Sequence, residues 1–185
     1  MDKGSVVLLN GVSSSGKTTI AKALQEKLQE PYYWFSIDTF IGMAPERYYT
    51  DKLGGKVLCQ IFKAFHHTIR SFVDMGMHCI VDTVFLNTPG LDCCLTDFVK
   101  QLDGSQVLIV YVHCPPEELR RREEKRGDRE VGQGESQLKL LQLNDLYDVE
   151  IDTFAFTTDE CVNRIVNACG VPEKYTAFAA LCREL

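Results

Sequence analysis

Ser5-Val-Val-Leu-Leu-Asn-Gly-Val-Ser-Ser-Ser-Gly-Lys-Thr-Thr-Ile20 decides the fold. Ser5 to Asn10 is a short apolar run with β-branched residues, the pattern of a strand buried on both faces. Gly11 to Gly16 is a loop of glycine and serine. From Lys17 to Leu28 the spacing turns helical, with Ile20, Ala23, Leu24 and Leu28 on one side. Gly11 through Thr18 fits G-x-x-x-x-G-K-[ST] at every fixed position, between a predicted strand and a predicted helix. Glycines let the backbone curl round a phosphate with its N–H groups turned inward, and the helix N-terminus adds a favourable dipole. This assigns Gly11, Ser13, Ser14, Ser15, Gly16, Lys17, Thr18 and Thr19 to a nucleotide. Lys17 reaches the β and γ phosphates, and the Thr18 hydroxyl is a ligand for Mg²⁺.

Outward from this loop the same alternation repeats. Strands are predicted at Tyr32 to Ile37, Met77 to Asp82, Gln106 to His113 and Val149 to Thr153. Helices are predicted at Lys56 to Met75, Thr88 to Leu102, Pro116 to Lys125, Ser136 to Leu146, from Thr158 to Gly170, and Glu173 to Leu185, with residues 39–55 irregular. Five apolar strands alternating with helices read as one α/β domain over 1–185, a parallel sheet covered on both faces. No linker, repeat or low-complexity segment divides it.

Composition narrows the function. Of 185 residues, 45% are hydrophobic and 25% charged, which excludes a disordered or collagen-like chain. A net charge of -6 argues against a polyanion surface, so nucleic acid is not an expected partner. No apolar run is long enough for a membrane span, and the N-terminal residues lack an export signal. The expectation is a cytoplasmic protein whose eight cysteines (59, 79, 93, 94, 114, 161, 169 and 182) are reduced core thiols. Cys93 and Cys94 are adjacent, a spacing without chelating geometry, so no metal or redox site is expected there.

Ligands of parallel sheets bind at the carboxyl ends of the strands. Asp38 and Asp82 close predicted strands on the side of the phosphate loop. Asp82 suits the metal side, whereas Asp38 faces the irregular segment and suits a general base. Between Glu117 and Arg129 arginines interleave with glutamates, mostly as a solvated helix face. Arg126 and Arg129 flank a Gly-Asp bend, where a mobile lid over 126–134 could bring them to a transferred phosphoryl group. His113 ends the fourth strand on the loop side, with packing as its default role.

Five segments occurring in order resemble the chloramphenicol phosphotransferase family of P-loop kinases: Leu9 to Thr18, Phe35-Ser-Ile-Asp-Thr39, Ile80-Val-Asp-Thr-Val-Phe-Leu86, Arg126-Gly-Asp-Arg129 and Tyr147-Asp-Val-Glu-Ile-Asp-Thr153. The resemblance spans nearly the whole chain. It implies a three-layer kinase core with strand order 2-3-1-4-5. It also implies transfer of the γ-phosphoryl group of ATP, with Mg²⁺, to a hydroxyl of a small molecule. Asp38 matches the family's catalytic aspartate, Lys17 and Thr18 its phosphate and metal positions, and Arg126 and Arg129 its lid arginines. Phe85, Phe40 and the rest of the segment after Asp38 fall where the acceptor pocket is expected. Adenine is expected near the loop Thr153 to Thr158. The sequence departs from the family pattern at Thr83 (an acid there) and His113 (an arginine there), and its segment after Asp38 is shorter. The expected activity is chloramphenicol 3-O-phosphotransferase-like. Nucleoside, shikimate-like and sugar acceptors are the alternatives, with a non-catalytic nucleotide switch as the rival of a different class.

Overall fold

A computed structural model describes residues 3–48, 54–127, 130–143 and 146–185. Its strands are β1 (Ser5–Asn10), β2 (Tyr32–Ser36), β3 (His78–Thr83), β4 (Gln106–His113) and β5 (Val149–Asp152). They form one parallel sheet in the order β2-β3-β1-β4-β5. The helices are α1 (Lys17–Lys27), α2 (Ile37–Ile41), α3 (Gly54–Asp74), α4 (Cys93–Leu102), α5 (Pro116–Arg126), α6 (Gln133–Leu138), α7 (Thr158–Val166) and α8 (Ala177–Glu184).

Strand alternation builds two cores from one sheet. Val6, Leu8, Val81 and Ile109 point to one face and pack with Phe62, Phe65, Phe98 and Phe178 of α3, α4 and α8. Val7, Leu9, Ile80 and Leu108 point to the other and pack with Ile20, Leu24, Val162 and Ile165 of α1 and α7. Both faces are thus sealed by helices, which is why the strands read as apolar runs rather than as an alternating pattern. The α7 start is fixed by a capping box in which Thr157 and Glu160 satisfy each other's backbone N–H.

Helix α7 ends at Val166 and α8 starts only at Ala177, and three further differences from the sequence-based expectation bear on the site. The chain turns helical at Ile37, so Asp38 stands in the first turn of α2 rather than at a strand end. Helix α4 begins at Cys93, after a turn containing Gly90 with φ of 89°. The helix predicted over Ser136 to Leu146 stops at Leu138. There the chain pairs instead with the segment after β3: the Asn87 N–H donates to the Leu140 carbonyl and the Gln142 N–H to the Phe85 carbonyl, at 2.7 and 2.8 Å, around a Leu86–Leu141 bridge. Long-range backbone pairing has overridden a local helical pattern.

Candidate active site

The loop between β1 and α1 is built by close backbone approaches. A side chain at Gly11 would meet the Val112 carbonyl at 2.6 Å, so only glycine fits beside β4. Ser14 and Gly16 adopt left-handed φ values of 63° and 100°, which turn successive N–H groups to the inside of the curl. The buried hydroxyls of Ser14 and Ser15 have no partner among the described residues, and an anion in the curl would supply one. The Ser13 N–H is held by the Gln137 side chain at 2.7 Å. Behind the loop, buried Asn10 accepts from the Phe85 N–H and donates to the Tyr147 hydroxyl.

Lys17 lies against the loop and the metal side together. Its ammonium donates to the Val12 carbonyl at 3.0 Å and stands 3.9 Å from a carboxylate oxygen of Asp82. The other Asp82 oxygen accepts from the Thr18 hydroxyl at 2.9 Å. Asp82 is buried at the carboxyl end of β3, in register with Leu9 and Ser36. A hydroxyl and a carboxylate side by side next to a phosphate loop are the hard oxygen donors that Mg²⁺ takes. Residues and metal therefore fit.

A cavity of about 530 Å³ opens over this cluster. Ser13, Ser14, Gly16, Lys17, Thr18, Thr19 and Asp82 form its floor. Toward β2 its wall is Asp38 with Ile37, Ile41, Leu58, Phe62, Val84, Leu86 and Leu91, a carboxylate set in an apolar surface. Toward β5 it is closed by Thr153, Phe156, Thr158 and Cys161, and by Arg122, Lys125 and Arg126 of α5. Asp38 is exposed to this space.

Two expected substrate contacts are corrected. Phe85 is fully buried, its ring 5.3 Å from that of Phe98, because side chains alternate along the extended segment after β3. Its neighbours Val84 and Leu86 face the cavity instead. Phe40 packs edge-to-face on Phe65 at 5.0 Å, on the core side of α2, while Ile37, Asp38 and Ile41 take the cavity side. His113 sits near Tyr111 and Asp152, away from the cavity lining. Arg129 lies outside the described residues.

Arg122, in a stretch whose pattern predicts a mostly solvated face, docks on the loop. It donates to the Ser14 carbonyl at 3.2 Å, to the Thr153 hydroxyl and carbonyl at 2.9 and 3.0 Å, and to Glu118 at 2.8 Å. Arg121 and Arg122 together hold the Glu118 carboxyl down at about 2. Glu123, fully buried, accepts the N–H groups of Gly132 and Gly134 at 2.7 and 2.8 Å and so pins the start of α6 to α5. Gly134 in turn touches the loop, where an added Cβ would lie 2.7 Å from the Ser13 carbonyl. The signal was present in the sequence. Leu119 is the only large apolar residue in α5, which marks its face as the packed one, and Arg122 lies one turn along that face.

The chloramphenicol phosphotransferase-like protein family model matches residues 4–169, and the chain belongs to that family. A Mycobacterium tuberculosis protein named "Putative O-phosphotransferase" is 31% identical over 93% of this chain and 86% of its own length. Among solved structures, a sugar kinase from Janibacter aligns with a TM-score of 0.67 at 20% identity, covering 92% of this chain and 98% of that one. The Mycobacterium tuberculosis APS kinase in complex with AMPPNP and APS aligns with a TM-score of 0.66 at 15% identity, covering 90% and 98%. The fold is that of the P-loop kinases.

Proposed function

We propose that this member of the chloramphenicol phosphotransferase-like family transfers the γ-phosphoryl group of ATP to a hydroxyl of a small molecule with an apolar body. The observation that carries the reading is one cavity holding a phosphate loop, a Thr18–Asp82 donor pair and a carboxylate, Asp38, in an apolar wall. Thr18 and Asp82 would hold Mg²⁺, which neutralises charge on the phosphate oxygens. The loop amides and Lys17 bind the triphosphate. Phe156, Thr158 and Cys161 form the side on which the base would rest. Asp38 accepts the proton of the attacking hydroxyl and aims its oxygen along the line of transfer. Arg126, and Arg129 with it, would meet charge developing on the phosphoryl group. The acceptor wall of Ile37, Ile41, Leu58, Phe62 and Leu91 favours an aromatic or alicyclic alcohol such as chloramphenicol over a phosphorylated sugar.

The test is ADP release from Mg-ATP across a panel of hydroxylated molecules that includes chloramphenicol, shikimate, nucleosides and sugars, with Lys17→Ala as the blank. Acceptor-dependent release with an apolar-bodied alcohol is expected. Response only to sugars would overturn the acceptor class. ATP binding without release for any acceptor would overturn the kinase reading in favour of a nucleotide switch.

A further inference from the structure

The cysteines that look least like a site in sequence meet a third one in space. Cys59 projects from α3, 34 residues before Cys93 at the start of α4, and their sulfurs stand 2.9 Å apart. Cys94 completes the group, and the three sulfurs lie within 4.8 Å of one another. Cys93 is exposed, Cys59 half-buried and Cys94 buried, so the cluster has an open mouth and a closed back.

We propose that Cys59, Cys93 and Cys94 form a binding site for a soft, closed-shell cation, with Cu(I) and Zn(II) as the two sources of that chemistry. An all-sulfur donor set selects thiophilic ions and rejects Mg²⁺ and Ca²⁺. Metal–sulfur bonds of about 2.3 Å space three sulfurs roughly 4 Å apart, within the span observed. The close Cys59–Cys93 pair must open by about 1 Å to match that spacing, and rotation of the exposed Cys93 side chain provides the movement. Burial and the neighbouring thiols raise the pKa of Cys59 and Cys94. An ion reverses this: each metal–sulfur bond forms as an S–H bond loses its proton to solvent, three protons per ion. Lys63, one turn beyond Cys59, offsets part of the thiolate charge, whereas Asp97 adds to it while held by His66 at 2.7 Å.

The site would clamp α3 to the start of α4. Leu58 and Phe62 flank Cys59 along α3 and line the cavity, as does Leu91 just before α4. The ion would therefore stiffen the acceptor wall, but its binding does not depend on the kinase reading.

The reduced full chain is titrated anaerobically against chromophoric chelators loaded with Cu(I) in one series and Zn(II) in another. One ion per chain and release of about three protons are expected. Affinity is expected to fall at least 100-fold in Cys59→Ser and in Cys93→Ser and to be unchanged in Cys182→Ser, whose thiol lies outside the cluster. Because Cys93 is exposed, its replacement leaves the core intact and keeps the comparison valid if Cys59→Ser fails to fold. Uptake of Cu(I) alone identifies a monovalent site, and uptake of both ions the broader one. Equal affinity of wild type and Cys93→Ser for both ions would overturn the proposal. So would loss of two thiols to a Cys59–Cys93 disulfide under air with no ion bound in its absence.

Discussion

Asp38 and Glu123 are both carboxylates, and their surroundings give them opposite work. Asp38 is exposed to the cavity, where it can meet a proton from an acceptor. Asp38→Asn keeps the shape of the side chain and removes the base. ADP release is expected to fall by a factor of ~10²–10⁴, with ATP affinity, measured by calorimetry, unchanged. Equal turnover would dismiss the base assignment. Glu123 is buried and spends both oxygens on backbone N–H groups. Glu123→Gln swaps one acceptor for a donor facing an N–H, and a loss of about 2 kcal/mol in urea unfolding is expected. Asp38 was legible from the sequence because it follows an apolar run and faces the loop side. Glu123 was not, because a glutamate among arginines on a helix looks the same whether it faces water or a buried backbone.

Between helices, His66 of α3 is the buried contact whose charge matters. It has no exposure, is ringed by Phe62, Phe65, Phe85 and Phe98, and shares a 2.7 Å hydrogen bond with Asp97 of α4. Desolvation outweighs the Asp97 interaction and pushes its pKa down to about 4. The unfolded chain takes up this proton near pH 6.5, the folded chain only near 4. The unfolded state therefore holds the extra proton between these values, and acid favours it. Stability is expected to be flat above about pH 6.5 and to lose on the order of 3 kcal/mol by pH 4. Urea unfolding across that range measures it, and His66→Gln, which cannot titrate, is expected to flatten the curve. The helices themselves were readable as apolar stripes. The end of α6 was not, because Leu140 and Leu141 satisfy a helical period and a strand pairing equally well. Only the partner segment Phe85 to Asn87, more than 50 residues away, decides between them.

At the scale of the molecule, the sheet order sets the cavity's apolar wall on the β2 side and the proposed base side at β5, with the loop after β1 between them. A nucleotide bound there would engage the folded chain and not the unfolded one. At a concentration 100 times its dissociation constant, Mg-ATP is expected to add about 2.7 kcal/mol, or a rise of several degrees in melting temperature by scanning fluorimetry. Lys17→Ala is expected to abolish the rise, and an equal rise in that variant would remove the loop from nucleotide binding. The sheet was legible because its three central strands, β1, β3 and β4, are buried on both faces. The cavity's lining was less so, since Phe40 and Phe85 have the right chemistry and the wrong parity. The Leu86–Leu141 bridge joins what the sequence keeps apart. One of its ends, Leu86, lines the cavity, and the other follows α6, which grips the loop through Gln137. Two backbone hydrogen bonds tie the ends together. In the proposed kinase, the fit of the acceptor and the hold on the phosphates would thus be yoked as a single lever, so that a molecule filling the chamber badly would also leave the reaction badly assembled.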